Sequence, residues 1–201
     1  KCAIFVFGMG SITPAVGTYL PKRILTNYDL ERITLACGSQ TSNQWILDRT
    51  GFSERPVAEE YESLGDMIVA ASLDALSRVK IKMAPIEHII VATNTAEQPF
   101  PNIAGYVQDR LKKERSDCID PRAGFSDSGA GCGGINIALM YADALIKSGT
   151  FKTVLVAGGE KLTSVTNYAD RSTCILFGDA VSAYPMTYID GPGGFIGHSV
   201  R

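Results

Sequence analysis

The sequence has no apolar run close to the roughly 20 residues that a membrane-spanning helix needs. Its formal net charge at pH 7 is only −2, which gives no support for nucleic acid or an anionic membrane as the main partner. The apolar start at 3–7 is short and lacks a small-residue cleavage site, so it predicts a first strand and not a signal peptide. No repeat, low-complexity stretch or clear linker interrupts the chain. With 45% hydrophobic and 20% charged residues, the composition is ordinary for a globular protein.

The five cysteines lack the pattern of a disulfide framework or a zinc site. They are odd in number and widely scattered, and no two of them form C-x-x-C. This distribution favours a reducing cytoplasm as the compartment. Cys2, Cys118 and Cys174 lie in apolar, strand-like runs, where a packed thiol is expected. His88 and His198 are isolated among strand-like residues, so structural or surface roles are expected for them and no metal site is predicted.

Cys132 has a different setting. It follows Gly129-Ala130-Gly131 and precedes two further glycines and an apolar pattern with helical spacings of three and four. The first amides of a helix have no internal partners and carry the positive end of the helix dipole, which favours the thiolate form of a cysteine. The glycines permit a sharp turn and the close approach of another molecule. The pattern is typical of a nucleophile, and a buried, inert cysteine in a tight turn is the alternative that these residues leave open.

Strand and helix patterns alternate along the chain, which predicts an α/β fold. Helices are predicted from Asn27 as the capping residue to Ile33, from a Thr41 or Ser42 cap to about Arg49, over 64–79, from 101–102 to about 111, and after Cys132. Strands are predicted at 3–7, 15–19, 86–93, 153–157 and 174–184, with short extended pieces at 118–119 and 123–126 and a further strand beginning at 195–200. Strands separated by helices imply right-handed crossovers and a mostly parallel sheet.

The glycines around Cys132 also fit a dinucleotide-binding fingerprint. Residues 129–134 match G-x-G-x-x-G, a helix and a strand follow, and Glu160 lies where such folds place a ribose-binding acid. Two features weigh against this interpretation. The segment that leads into the glycines, 120–128, is polar and broken, whereas a buried apolar strand is expected. The fingerprint also usually opens a domain. An NAD(P)-binding oxidoreductase is therefore the alternative from another enzyme class.

Several short motifs occur in a fixed order along the chain. Gly17–Pro21 reads G-T-Y-L-P, Thr41–Arg55 reads T-S-N-Q-W-I-L-D-R-T-G-F-S-E-R, and Phe100-Pro101 follows the predicted strand at 86–93. D-R-S-T at 170–173 and F-G-D-A at 177–180 follow the Cys132 helix. Together these segments resemble β-ketoacyl-acyl carrier protein synthase III, a condensing enzyme of the thiolase superfamily. Cys132 falls where that family keeps its catalytic cysteine.

The resemblance implies a thiolase-like fold, of which this chain is one βαβαβ-type half of a layered α/β/α/β/α condensing enzyme. Residues 1–186 would form the N-terminal half that carries the nucleophile, and residues 187–201 a loop and the start of the second half. In the family, the second half supplies a histidine and an asparagine, and neither His88 nor His198 matches that histidine. Whether the sequence is a piece of a longer protein, or the protein is naturally split or inactive, stays open.

The implied activity is that of an acyltransferase that initiates fatty acid biosynthesis in lipid metabolism. An acyl-CoA primer, expected to be acetyl-CoA, would acylate Cys132, and malonyl-acyl carrier protein would then condense with it. The resemblance also implies a cytoplasmic homodimer that needs no cofactor, since CoA enters as the thioester substrate. Gly133-Gly134 departs from the family's usual alanine or serine followed by glycine. A related condensing enzyme or acyltransferase of secondary metabolism, and an inactive fragment or non-catalytic subunit, remain alternatives.

The resemblance also assigns the CoA-binding residues. Trp45 and Arg171 match residues that sandwich the adenine of CoA, and Arg49 can meet a phosphate. Thr41 can either hydrogen-bond the base or cap the helix. Phe100 resembles the residue that reaches across the dimer to line the partner's acyl pocket. Without the family match, a core role would be preferred for Trp45 and would be an equal alternative for Phe100.

Overall fold

The computed structural model describes residues 10–191 and 193–198, so the strand predicted at 3–7 and the end of the one predicted at 195–200 lie outside the described residues. The strands are β1 Gly10–Ile12, β2 Gly17–Tyr19, β3 Arg23–Thr26, β4 Glu54–Val57, β5 Ile86–Ala92, β6 Ile119–Ser128, β7 Thr153–Lys161 and β8 Asp179–Ile189. The helices are α1 Asn27–Ala36, α2 Asn43–Thr50, α3 Leu64–Arg78, α4 Ile103–Glu114 and α5 Gly134–Lys147. None of these helices is both long and apolar enough to cross a membrane.

The main sheet has the strand order β1-β8-β7-β5-β6, and β2 also pairs with β8. The two pairings of β5, with β6 and with β7, are parallel, whereas β8 runs antiparallel to β7, β1 and β2. The predicted mostly parallel sheet is therefore wrong, and the sheet is mixed. The connection at 162–178 contains a short 3₁₀ turn, Leu162–Ser164, and no α-helix, so β8 returns beside β7 without a crossover helix.

Helices cover both faces of this sheet. The apolar faces of α3 and α4 pack on one face, and the predicted stripe of α3 is buried at Leu64, Met67, Ile68 and Ala71. Helix α5 packs on the other face through Ala138, Ala142 and Ile146. Segments 118–119 and 123–126, predicted as separate pieces, form the single strand β6. The predicted α/β fold class is confirmed.

A smaller unit combines α1 and α2 with a two-stranded antiparallel sheet of β3 and β4. Thr26 caps α1 in a reciprocal capping box with Asp29, so the prediction of Asn27 as the cap is wrong by one residue. Ser42 caps α2, and Gly51 ends it with a φ of 71°, in the left-handed region that favours glycine. The core of this unit includes side chains from the connection at 162–178, namely Cys174 and Ile175.

The predicted strand at 174–184 begins five residues later than expected. Cys174 and Ile175 are buried, which explains their apolar character, but they lie in turns that pack against α1, α2 and β4, and β8 begins at Asp179. The residues described within 195–198 form no strand.

Candidate active site

Cys132 lies between the end of β6 and the start of α5. It is the middle residue of a 3₁₀ turn, Gly131–Gly133, in which Gly131 has a φ of 56°. Any residue with a side chain would be strained in this conformation, which explains why position 131 is a glycine. The Cys132 side chain is exposed. The alternative of a buried cysteine is therefore wrong, and the role of Cys132 as the nucleophile stays a prediction.

The cysteine faces a cavity of about 380 Å³ between the amino end of α5 and the ends of the central strands. Its walls include Ile135 of α5, Ala92 of β5, Gly158 of β7 and Val181 of β8. This volume is in the range typical of small-molecule sites. The cavity is mostly apolar in its lining residues and open at one side, so it suits an acyl chain better than a charged ligand.

Close packing of the strands beside the cavity depends on two glycines of β7. A Cβ atom on Gly158 would lie 2.7 Å from the Ala92 carbonyl oxygen, and one on Gly159 would lie 2.2 Å from the Ala180 carbonyl oxygen. Both distances are far shorter than van der Waals contact allows. The cavity wall is thus formed by backbone at these two positions.

The other described cysteines have different surroundings. Cys174 is buried, and burial raises the pKa of its thiol. Burial, followed by a hydrogen bond to Asp117, raises the pKa of the partly buried Cys118. Cys37 is exposed at the end of α1. Among residues 10–191 and 193–198, Cys132 and Cys37 are therefore the two thiols that a reagent can reach directly.

The side chains predicted to bind CoA lie together on the smaller unit. The guanidinium carbons of Arg49 and Arg171 lie 4.4 and 4.7 Å from the centroid of the Trp45 ring. The Trp45 ring is partly buried against the core of that unit, and Arg171 donates a hydrogen bond of 2.7 Å to the Gln40 carbonyl oxygen. We call Trp45 and Arg171 the stacking platform. Since Arg171 lies directly over the indole, a purine between them requires the guanidinium to move away.

Thr41 and Phe100 can also be placed. The cap of α2 is Ser42, so the capping role considered for Thr41 is wrong. The Thr41 hydroxyl oxygen is buried and has no hydrogen-bond partner among the described residues. Phe100 is 85% exposed, which excludes a core role in this chain. The roles of Thr41 at the base and Phe100 at a dimer partner stay predictions.

The geometry does not support a dinucleotide site at residues 129–134. The Glu160 carboxylate accepts hydrogen bonds from the Thr93 hydroxyl, the Asn94 backbone and side-chain amides, and the Thr95 hydroxyl. It is therefore occupied in holding the loop after β5. The strands joined by α5, β6 and β7, both pair with β5 and not with each other, whereas the dinucleotide fingerprint joins adjacent strands.

The two histidines lie away from the cavity, as residues of the fold. The His88 ring stacks on Phe151 with centroids 5.0 Å apart, its Nε2 lies 3.0 Å from the Ser126 hydroxyl, and burial lowers its pKa. His198 lies 2.7 Å from the Asp143 carboxylate. Structural roles for both are confirmed. No cluster of three or more His, Cys, Asp or Glu residues in the described ranges could hold a metal ion.

Sequence reasoning missed one buried polar group near the platform. Arg55 of β4 is 4% exposed and donates to the side chain of Asn27 and to the carbonyl oxygen of Ile175. A signal existed, because the alternation of the strand Glu54–Val57 turns Arg55 and Val57 to the buried side. Its partners come from distant parts of the chain, so the sequence alone does not give them.

A family model, curated proteins and solved structures all match this chain, and all three indicate the same kind of enzyme. The family model for 3-oxoacyl-[acyl-carrier-protein (ACP)] synthase III matches residues 126–200. The beta-ketoacyl-[acyl-carrier-protein] synthase III 2 of Bacillus subtilis strain 168 is 39% identical over 182 residues, which cover 90% of this chain and 52% of that protein. The synthase III of Aquifex aeolicus VF5 is 41% identical over 179 residues, covering 89% of this chain and 54% of that protein.

Solved structures agree with this result. The crystal structure of the Aquifex aeolicus 3-oxoacyl-[acyl-carrier-protein] synthase III is 40% identical with a TM-score of 0.78, covering 89% of this chain and 54% of that chain. The priming β-ketosynthase of the R1128 polyketide pathway is 30% identical with a TM-score of 0.82, covering 96% and 54%. The chain thus spans about half the length of the relatives it matches. Over that half, the chain is similar to β-ketoacyl-acyl carrier protein synthases III, as its sequence motifs predicted.

Proposed function

We propose that this chain is the nucleophile-bearing part of a β-ketoacyl-acyl carrier protein synthase III, an acyltransferase of fatty acid biosynthesis. The observation that carries the proposal is the exposed Cys132, which lies at the amino end of α5 on an apolar cavity, in a chain about 40% identical to such synthases. Residues 1–186 would form the nucleophile-bearing unit, and residues 187–201 would lead into a second one.

In the first step, the Cys132 thiolate attacks the thioester carbon of an acyl-CoA primer, for which acetyl-CoA is our choice. The bond from this carbon to the sulfur of CoA breaks, CoA leaves as a thiolate, and the acyl group is held as a thioester of Cys132. One thioester replaces another, so the exchange costs little free energy. The Cys132 backbone amide can donate to the developing oxyanion, and such a donor is typically worth about 3–4 kcal/mol.

In the second step, malonyl-acyl carrier protein loses carbon dioxide, and the electron pair of the broken bond forms an enolate. The enolate carbon attacks the acyl-Cys132 thioester, a carbon–carbon bond forms, and the Cys132 thiolate leaves. The product is a 3-ketoacyl-acyl carrier protein. None of the described residues that line the cavity is a histidine. Groups that stabilise the enolate would therefore come from outside this set.

The proposed partners follow from the same assignment. The adenine of CoA would stack on Trp45 after Arg171 moves aside, with Arg49 at a phosphate and Thr41 at the base. Phe100 would contact the acyl pocket of a second copy in a cytoplasmic homodimer, and its 85% exposure supports this role. No cofactor is proposed, because CoA enters as the thioester substrate.

A priming condensing enzyme of secondary metabolism is the second candidate. It is favoured by one observation, the match to a polyketide priming β-ketosynthase, which covers 96% of this chain with a TM-score of 0.82. The chemistry at Cys132 would be the same. The two candidates differ in the primer chain and in the carrier protein that delivers the malonyl group.

Condensation assays with the full-length protein test the proposal. Acetyl-CoA, longer acyl-CoA primers and acetyl-acyl carrier protein would each be offered with malonyl-acyl carrier protein, and carbon dioxide release would be measured. We expect turnover with an acyl-CoA primer and none with the carrier-bound primer. Turnover with the carrier-bound primer alone, or quenching of Trp45 fluorescence by NAD and not by CoA, would overturn the proposal.

A further inference from the structure

The stacking platform is assembled from two separate segments of the chain. Trp45 lies on α2 in the smaller unit, and Arg171 lies in the connection between β7 and β8. One contact between the segments is the hydrogen bond from Arg171 to the Gln40 carbonyl oxygen, and it is exposed to solvent. An exposed hydrogen bond competes with water and adds little. Cys174 and Ile175 also pack in the core of the smaller unit, but apolar contact is non-directional and does not by itself fix an orientation.

Arg55 provides a buried link between these segments. Its Nη1 donates to the Asn27 side-chain oxygen at 2.9 Å, and its Nη2 donates to the Ile175 carbonyl oxygen at 2.7 Å. Asn27 in turn donates through Nδ2 to the Asn43 side-chain oxygen at 2.9 Å. Asn43 is the first residue of α2, two positions before Trp45, and Ile175 follows Arg171 by four positions. The hydrogen bonds therefore connect the segment that carries Trp45 to the segment that carries Arg171.

Burial of the Arg55 guanidinium costs free energy that a residue with only a packing role would not need to offset. Arg55 is 4% exposed, and none of the described carboxylates forms an ion pair with it. Burial lowers its pKa, as expected for a cation removed from water without an opposite charge. An apolar side chain at a buried ionic site is often neutral or stabilising. What the guanidinium adds is a planar fork that fixes the relative position of two acceptors.

We propose that Arg55 is a positioning residue for the CoA site, which with Asn27 sets the separation of Trp45 and Arg171. The inference rests on the proposed function, in which these two side chains hold the adenine of CoA. Arg55 itself is buried and acts through its hydrogen-bond partners, without contact with the substrate. Its effect is confined to the nucleotide end of the substrate and does not extend to the thioester at Cys132.

The test compares two acyl donors on the full-length protein. Acetyl-CoA carries the nucleotide, whereas acetyl-N-acetylcysteamine is a thioester that ends before it. We expect Arg55→Met to raise the KM for acetyl-CoA and the Kd of CoA about tenfold, with kcat and the acylation rate from acetyl-N-acetylcysteamine within about twofold of the unmodified protein. The Kd is measured by isothermal titration of the same full-length protein with CoA.

Two further variants keep the test decisive if Arg55→Met folds poorly. Asn43→Ala cuts the network at its partly exposed end and leaves no buried charge without a partner, and we expect a rise of about threefold in the Kd of CoA. Thr34→Val is the matched control. It removes a buried hydroxyl of α1 that donates to the Leu30 carbonyl oxygen, in the same unit but outside the network, and we expect an unchanged Kd.

The outcomes separate the inference from the proposed function. If the unmodified protein neither binds CoA nor accepts an acyl group from acetyl-CoA, the proposed function fails. If it does both, but Arg55→Met and Asn43→Ala bind CoA as Thr34→Val does, the positioning role is overturned. An equal loss with both acyl donors would also overturn it, because that result indicates a general loss of structure.

Discussion

The surroundings of Cys132 and the stacking platform are built by different means. Around Cys132, the shape comes from backbone. Gly131 adopts a positive φ in the turn, and Gly158 and Gly159 leave no room for a side chain between β7 and its neighbours β5 and β8. At the platform, the shape comes from side chains that stack and hydrogen-bond across two segments. An added carbon should therefore damage the first region, whereas a truncated side chain should damage substrate binding in the second.

Replacement of the nucleophile should give the largest effect. We expect Cys132→Ser to lower acyl transfer by about a thousandfold or more, since a serine hydroxyl is a much weaker nucleophile than a cysteine thiolate near neutral pH. The Kd of CoA, measured through Trp45 fluorescence, should stay within about twofold, because the platform is built independently of the cysteine. If Cys132→Ser still transfers acyl groups and Cys37→Ser does not, Cys37 is the nucleophile and the assignment of Cys132 is wrong.

The backbone-built region should be sensitive to one methyl group. In Gly159→Ala, the new Cβ would lie 2.2 Å from the Ala180 carbonyl oxygen and 2.6 Å from the Val181 Cα, so β7 and β8 must separate. We expect a loss of about 2–3 kcal/mol in the free energy of unfolding, measured with urea.

Gly134→Ala is the matched control in the same region. Its Cβ would lie 3.5 Å from the Ala92 Cβ and 3.7 Å from the Ser128 carbonyl oxygen, which are ordinary contacts. The free energy of unfolding should change by less than about 1 kcal/mol. Equal losses of stability in Gly159→Ala and Gly134→Ala would show that contact with the neighbouring strand is not the reason why position 159 requires glycine.

The side-chain-built region should lose affinity and keep its fold. Trp45→Ala removes the aromatic surface for the base, and base stacking on an aromatic ring is worth roughly 1–3 kcal/mol, so the KM for acetyl-CoA should rise about tenfold or more. Tyr28→Ala, which removes an aromatic ring exposed on α1, serves as the comparison and should leave the KM unchanged. Similar KM values for the two variants would argue against stacking on Trp45.

A smaller effect is expected at the far end of the Cys132 helix, where side chains again fix the structure. Burial alone would raise the pKa of Asp143, but hydrogen bonds from Ser11, Lys147 and His198 outweigh it and hold the pKa below its usual value. Because the pKa of Asp143 is lower in the folded state than in the unfolded state, its ionised carboxylate stabilises the fold. This stabilisation is complete above the unfolded-state pKa of about 3.9 and is lost as the pH falls through the folded-state pKa.

Urea unfolding between pH 2 and pH 7 measures this contribution. Stability should decrease as the pH falls below about 4, and Asp143→Asn should reduce the decrease while costing about 1 kcal/mol at pH 7. His198→Gln is the control that changes only one of the three hydrogen-bond donors to Asp143. An unchanged pH dependence in Asp143→Asn would show that another carboxylate is responsible for the acid sensitivity.

Local signals in the sequence account for the parts of the fold that were predicted well. The α2 helix begins after Ser42 and ends at Gly51, where a capping side chain and a left-handed glycine each act within a few residues. The exposed turn at Cys132 follows from its glycines in the same way. The start of β8 was misplaced because the run of Cys174 and Ile175 is apolar for a reason unrelated to the main sheet. The direction of β8 was missed because no α-helix connects it to β7.

Contacts between distant segments set the limit of the sequence prediction at the site. Trp45 and Arg171 were recognised through a family resemblance, and their proximity follows from the fold. The link through Arg55 was missed, because Asn27 and Ile175 lie 28 and 120 positions away from it. The burial of Arg55 was missed because no strand was predicted at 54–57, so the alternation of that strand was not used. Such links require the tertiary structure.

Acylation by acetyl-CoA tests the central claim, that Cys132 is the nucleophile of an acyl-CoA-using site, most directly. The full-length protein would be incubated with acetyl-CoA, and peptide mapping by mass spectrometry would locate the acetyl group. The exposed Cys37 is an internal comparison, since it is equally accessible but lies at the end of α1 and away from the glycine turn. We predict one acetyl group per chain on Cys132 and none on Cys37. An acetyl group on Cys37 or on no cysteine, with Cys132 unmodified, would contradict the account.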